Sequence, residues 1–263
     1  MSKSLKLIIW HGVVAVLTWR LWNYGNNLST AAIENIDIEP VALLNVALLA
    51  AVIALGFLLF QKRIWIVTAA LIVWIPHVAY FGFSQLISSG LAILILFFWW
   101  ANQSVMYELE RGTKVRSARL VRVGALPVIL GIFLLTSFAA YQSPNIQAFK
   151  SADSLPSSIQ EIVKPIVEKT IGTKISTRNE REKETLINEI ARQTVHDFNI
   201  ILRPYFQYAP PLVAFILFLI LWGLSWIFVI VSSLMGWIIF RILKKIGLIQ
   251  VQEKDIKAEV LVV

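Results

Sequence analysis

Six long apolar runs constrain what this chain can fold into. The clearest, Val41–Phe60, contains twenty residues without a charged side chain. A helix needs about 20 mostly apolar residues to cross a bilayer, because no water satisfies its backbone there. The runs are Leu7–Tyr24, Val41–Phe60, Ile64–Phe83, Leu86–Gln103, Val123–Tyr141 and Leu212–Leu243. They predict an all-α membrane protein that forms a six-helix transmembrane bundle and has the lipid bilayer as a partner.

Composition supports this class and excludes others. Hydrophobic residues make up 57% of the 263 residues and charged residues 15%, whereas about a quarter of a soluble domain is charged. The chain has no cysteine, which excludes disulfides, thiol catalysis and cysteine-ligated metals. Most of the basic residues behind the net charge of +8 flank the apolar runs, and no nucleic-acid reading motif accompanies them. We therefore expect no nucleic-acid partner.

The loops between the runs alternate in charge. Lys3 and Lys6 precede the first run, Lys62 and Arg63 follow the second, and five basic residues lie within 111–122. The two intervening loops contain no Lys or Arg. Because basic loops remain in the cytoplasm, this alternation predicts a multi-pass protein of the cell membrane with both its N-terminus and its C-terminus cytoplasmic.

The runs divide the chain into four segments. Residues 1–141 contain five transmembrane helices, 142–211 an extracytoplasmic helical hairpin, 212–246 a long sixth transmembrane helix, and 247–263 a cytoplasmic tail. The sixth run would be about 48 Å long as one helix, against a hydrocarbon core of about 30 Å. It either tilts and continues beyond the membrane or breaks near Ser232–Gly236, and we favour one long helix.

We expect neither of the two segments outside the membrane, the hairpin and the tail, to be stable by itself. A first helix around 159–167 and a second over about 179–206 predict the hairpin, and the second has an apolar stripe at Leu186, Ile187, Ile190, Ala191, Val195, Phe198 and Ile201. We expect residues 155–206 to contact a protein partner, a second copy or the membrane surface. The tail alternates in a β-like pattern of two short strands, which are marginal in water by themselves.

Polar side chains within the apolar runs are candidates for function because they are costly there. At about 1.5 Å per residue, Arg20, Asn45 and His77 reach a similar depth and could form an outward-facing intramembrane polar cluster. The other interpretation is that Arg20 extends to the outer interface between Trp19 and Trp22, which would belong to an aromatic belt.

Further features concern packing and lipid contact. Trp222 and Trp226 fall in the middle of the last run, where we expect them to pack between helices. Residues that allow close helix approach are Ala47, Ala50, Ala51, Ala54, Ser232 and Gly236. The basic loop predicts contacts with anionic lipid through Arg111, Lys114, Arg116, Arg119 and Arg122. The other interpretation is that these residues serve only as topology determinants.

No pattern typical of catalysis is present. The sequence lacks a phosphate-binding glycine loop, a nucleophile elbow and paired histidines at metal spacing. The sequence therefore predicts no catalytic, cofactor-binding or metal residues and favours a non-enzymatic interaction or scaffold protein that presents an external helical hairpin. The alternative is a transporter or channel for a small solute or lipid that uses the polar cluster, and a lipid-modifying enzyme ranks third.

Overall fold

The structure, a computed structural model, describes residues 2–30, 40–111, 115–148 and 180–249, together with 165 and 169. Its described elements are eight α-helices, of which α6 is short, and one 3₁₀ segment at Arg203–Tyr208. The helices are α1 (Lys3–Thr30), α2 (Pro40–Leu59), α3 (Ile64–Phe81), α4 (Gln85–Arg111), α5 (Ser117–Gln142), α6 (Pro144–Gln147), α7 (Glu180–Leu202) and α8 (Ala209–Lys245). No strand occurs among the described residues.

Six of these helices are long and apolar enough to cross a membrane, namely α1 to α5 and α8. This confirms the prediction of an all-helical chain with six candidate membrane-spanning helices, and it indicates a multi-pass membrane protein. The last run forms one continuous helix of 37 residues, without a break at Ser232–Gly236. The first and fourth helices extend beyond their apolar runs at both ends.

The chain divides into two compact units, which are described separately. One unit, the helix bundle, comprises Met1–Ala140 and Ile216–Val263, and the other comprises Tyr141–Phe215. In the bundle, α2 has the most buried sequence, and Leu49, Ala50 and Ile53 are fully enclosed. Because α2 has no charged side chain, it can be surrounded by other helices at no cost in charge burial.

Small residues let the helices of the bundle approach closely, in agreement with their spacing in the sequence. A Cβ atom at Gly124 would lie 3.1 Å from the Cβ of Ala54. Ser232 Oγ, on α8, donates a 2.8 Å hydrogen bond to the carbonyl oxygen of Ala47 on α2. Without a hydrophobic driving force between helices in lipid, such contacts and hydrogen bonds hold the bundle together.

The start of α1 meets the ends of α2 and α8. Lys6 Nζ donates a 2.7 Å hydrogen bond to the carbonyl oxygen of Leu248, just beyond α8. Trp10 Nε1 donates a 2.9 Å hydrogen bond to the carbonyl oxygen of Val52, in the second half of α2. These three helix termini therefore lie at one end of the bundle.

The end of α4 and the start of α5 lie at the same end. Arg119 Nε is 2.7 Å from Glu108 Oε1, which joins the start of α5 to the end of α4. Ser233 Oγ donates a 2.8 Å hydrogen bond to the carbonyl oxygen of Ala118, which joins the start of α5 to α8. We call this end of the bundle the basic end, since its helix termini carry Lys3, Lys6, Lys62, Arg63, Arg111, Arg116, Arg119, Arg122, Lys244 and Lys245.

The packing of three tryptophans was not anticipated from the sequence. Trp22, which was predicted to lie at the outer interface, is buried between helices, and its Nε1 donates a 2.9 Å hydrogen bond to the carbonyl oxygen of Val73. Trp222 and Trp226 are exposed rather than packed between helices. The reason is that only a narrow stripe of this part of α8 is buried, which includes Ser225, Phe228, Val229, Ser232 and Gly236.

Parts of two predicted segments lie outside the described residues. In the predicted hairpin, α7 corresponds to the second helix, whereas the first helix, around 159–167, falls almost wholly outside the described ranges. The proposed strands of the tail fall mainly after Ile249, where the described residues end. The hairpin and the β-like tail therefore remain predictions.

Candidate functional site

His77 lies in the interior of the bundle, one residue after Pro76 in α3. Its Nε2 is 3.1 Å from the carbonyl oxygen of Leu135 on α5, and since a carbonyl only accepts, His77 is the donor. The imidazole also meets the indole of Trp22 edge-on, with ring centroids 4.6 Å apart. His77 thus links α1, α3 and α5.

Asn45 is also buried, and it forms an interhelical hydrogen bond. Its Nδ2 donates to the carbonyl oxygen of Leu17 on α1, at 2.9 Å. Arg20, three residues further along α1, is exposed. The structure therefore places Asn45 and His77 inside the bundle, each bonded to the main chain of a neighbouring helix, and places Arg20 on the outer surface of α1.

Two further buried polar residues were missed by sequence reasoning. Thr18 Oγ1 and Asn102 Nδ2 are enclosed, and within the described part of the chain neither atom has a hydrogen-bond partner, as is also true of His77 Nδ1. Asn102 could have been found by the rule that singled out Asn45, since both lie in apolar runs. Thr18 could not, because threonine is ordinary in a spanning helix and its burial depends on how α1 is rotated.

The basic loop has two kinds of arginine. Arg119 forms the ion pair with Glu108, and the guanidinium of Arg111 lies 4.6 Å from the ring centroid of Tyr107. Arg116 and Arg122 are exposed, whereas Lys114 lies outside the described residues. The arginines with no part in these two contacts are the better candidates for anionic lipid.

In the second unit, the apolar stripe of α7 is only partly covered, since Leu186 at its start is 43% exposed. Ile187 is 4% exposed and Ala191 is fully buried, whereas Phe198 is 46% exposed and Ile201 62% exposed. All four lie on one side of the helix at a 3.6-residue period. The open half is a candidate contact surface, and we call Phe198 and Ile201 the open patch.

The opposite side of α7 is charged. Arg192 Nη2 is 2.7 Å from Glu189 Oε1, one turn earlier, and both side chains are exposed. The hydrogen bond to Glu189 raises the pKa of Arg192 above its usual value. A charged face and an open patch give α7 one side suited to water and one suited to an apolar surface.

Comparison with known proteins gives no family for this chain. No family model matches it, and neither a curated protein sequence nor a solved structure matches it.

Proposed function

We propose that this chain is a non-enzymatic membrane interaction protein, in which the bundle anchors a helical segment that binds a partner protein. The observation that carries the proposal is the open patch. A stripe that is buried at Ile187 but exposed at Phe198 and Ile201 leaves apolar area to be covered by something else. Full burial of a Phe or Ile side chain contributes about 1.5–3 kcal/mol, so covering the open patch favours association.

The side of the membrane on which α7 lies is part of the proposal. Lys and Arg residues define the basic end of the bundle, and such residues favour the cytoplasmic side of a membrane. With the N- and C-terminal ends of the bundle cytoplasmic, the segment between α5 and α8 is extracytoplasmic. The partner is then a protein that is accessible from outside the cell membrane, or a second copy of this chain.

Site-specific photocrosslinking in native membranes tests the proposal. A photoreactive residue replaces Ile201 in the full chain, and a matched variant carries it at Gln193, which is exposed on the charged side of α7. We expect protein adducts from position 201 that are absent from position 193. The adducts should fall at least tenfold in a Phe198→Glu background, because a charge in the contact loses the burial energy of Phe198.

Two results would contradict the proposal. Equal protein adducts from positions 193 and 201 would indicate random collisions. Adducts from position 201 with lipid alone would mean that the open patch rests on the membrane surface, as amphipathic helices can.

The transporter or channel remains the second candidate. It is favoured by the enclosed polar atoms of Thr18 and His77 inside the bundle, since polar groups there commonly mark a pathway. The exposed position of Arg20 leaves that residue outside such a pathway. Release of carboxyfluorescein from vesicles that contain the protein, compared with vesicles that contain the His77→Leu variant, tests this candidate. If protein-free vesicles released the dye equally, transport of solutes of that size would be excluded.

A further inference from the structure

An apolar groove of about 610 Å³ opens at the basic end of the bundle. Three helices form it: the first part of α1, the second half of α2 and the end of α8. Its apolar lining includes Ile9, Trp10, Val13, Phe60, Leu248 and Ile249. Its volume lies within the range of about 300–1,000 Å³ that is typical of small-molecule sites.

Trp10 fixes the inner wall of the groove. Its Nε1 donates to the carbonyl oxygen of Val52 at 2.9 Å, and its ring lies against the backbone of Gly56. The ring also packs on Phe60, with centroids 5.5 Å apart. Since the indole is held by a hydrogen bond and by ring contacts, this wall exists before any ligand binds.

The mouth of the groove is cationic. Lys3 and Lys6 are the charged residues among its described lining, which includes no carboxylate. The ammonium group of Lys6 has three N–H donors, and the carbonyl oxygen of Leu248 accepts from it at 2.7 Å. Lys62, just beyond the end of α2, and Lys244, in the last turn of α8, add to the positive potential at this end.

The length of the groove fits one leaflet of a bilayer. From Lys3 to Val13, α1 rises about 15 Å at 1.5 Å per residue, and half of a hydrocarbon core of about 30 Å is the same distance. We propose that the groove binds one anionic phospholipid, with an acyl chain along Trp10 and Val13 and the phosphate at Lys3 and Lys6. The lipid enters from the leaflet at the basic end, and the turn at Leu248 and Ile249 covers part of its chain.

Native mass spectrometry of the full chain in mild detergent tests the proposal. The purified protein is offered dioleoylphosphatidylglycerol or dioleoylphosphatidylcholine, which have the same acyl chains and differ in headgroup charge. We expect one tightly held lipid, with about a tenfold or larger preference for phosphatidylglycerol, because two basic residues contact its headgroup.

Two pairs of variants distinguish lipid binding in the groove from general electrostatic attraction of the lipid to the basic end. Lys3→Gln with Lys6→Gln should reduce binding of phosphatidylglycerol to the level of phosphatidylcholine, whereas Lys62→Gln with Lys244→Gln, which removes the same charge outside the lining, should keep the preference. Val13→Trp fills the groove and should remove both lipids. Val16→Trp, at a more exposed position of α1 outside the lining, should not.

Three outcomes would overturn the proposal. The first is an equal loss in both lysine pairs, and the second is unchanged lipid binding by Val13→Trp. The third is displacement of the lipid by millimolar inorganic phosphate, which would mean that the lysines bind a free anion and the groove contributes nothing. A photoreactive residue at Ile9 adds a check in vesicles of phosphatidylglycerol: an adduct with residues 250–263 instead of lipid would identify the tail as the occupant and exclude the lipid.

Discussion

Trp10 lies directly on Gly56, so closely that a Cβ atom at position 56 would be 2.0 Å from Cε2 of the indole. The side chain at position 56 has to be a hydrogen atom for α1 and α2 to meet as they do. Glycine is commonly required at close helix contacts in membranes, where backbones must approach. The same contact holds Trp10 in place for its hydrogen bond to Val52.

Gly56→Ala should destabilise the bundle. The methyl group cannot be accommodated unless the indole moves, and overpacking of this kind costs about 1–3 kcal/mol. The measurement is the midpoint of thermal unfolding in mild detergent. Gly12→Ala is the control, because nothing lies within 4 Å of a Cβ atom there. If the two variants had equal midpoints, the contact between Trp10 and Gly56 would be less tight than described.

Ser232→Ala should weaken the contact between α8 and α2. The variant loses the hydrogen bond to the carbonyl oxygen of Ala47, and such bonds contribute on average about 0.6 kcal/mol in membrane proteins. Ser89→Ala removes a hydroxyl that bonds only within α4, to Leu86. Thermal unfolding should therefore show a small loss for Ser232→Ala, and a smaller change for Ser89→Ala. The reverse order would argue against this interhelical bond.

Thr18→Val should stabilise the bundle. Valine has nearly the same shape as threonine, and the substitution removes an enclosed hydroxyl that has no partner in the described part of the chain. An unsatisfied buried polar group costs about 1–3 kcal/mol, so the unfolding midpoint should rise. A lower midpoint would mean that the hydroxyl makes a favourable interaction, for example with a buried water molecule.

Cysteine labelling should place the basic end of the bundle and α7 on opposite sides of the membrane. Because the chain has no cysteine, each introduced cysteine is unique. A membrane-impermeant maleimide on intact cells should label Gln193→Cys directly, and should label Lys62→Cys and Lys244→Cys only after permeabilisation. If Lys62→Cys and Gln193→Cys were labelled together, the predicted threading would be wrong.

The sequence predicted the helices of the bundle well because the bilayer imposes a simple rule. A long uncharged run such as Val41–Phe60 has few alternatives to a spanning helix. The height of a residue along its helix could also be predicted, since the rise per residue is constant. The first half of the hairpin and most of the tail lie outside the described residues, so those predictions stay as they were.

Rotation about the helix axis was not accessible from the sequence. Arg20 and Asn45 were placed at similar depth, yet Arg20 is exposed and Asn45 is buried. The sequence also did not show that the indole of Trp22 faces the bundle, where it donates a hydrogen bond to Val73. In lipid, an exposed face is as apolar as a packed face, so hydrophobic periodicity carries little information about which side is buried. The groove was missed for a related reason, because it depends on which helices are neighbours.

The hydrogen bond between Lys6 and Leu248 joins residues that are 242 positions apart. At about 5–20 residues per second, the ribosome adds Leu248 at least about ten seconds after Lys6. During that time α1 and α2 are already inserted, but the wall supplied by α8 is missing. The groove is therefore completed only after α8 has been made, and a chain interrupted before α8 would leave Trp10 facing the bilayer on one side.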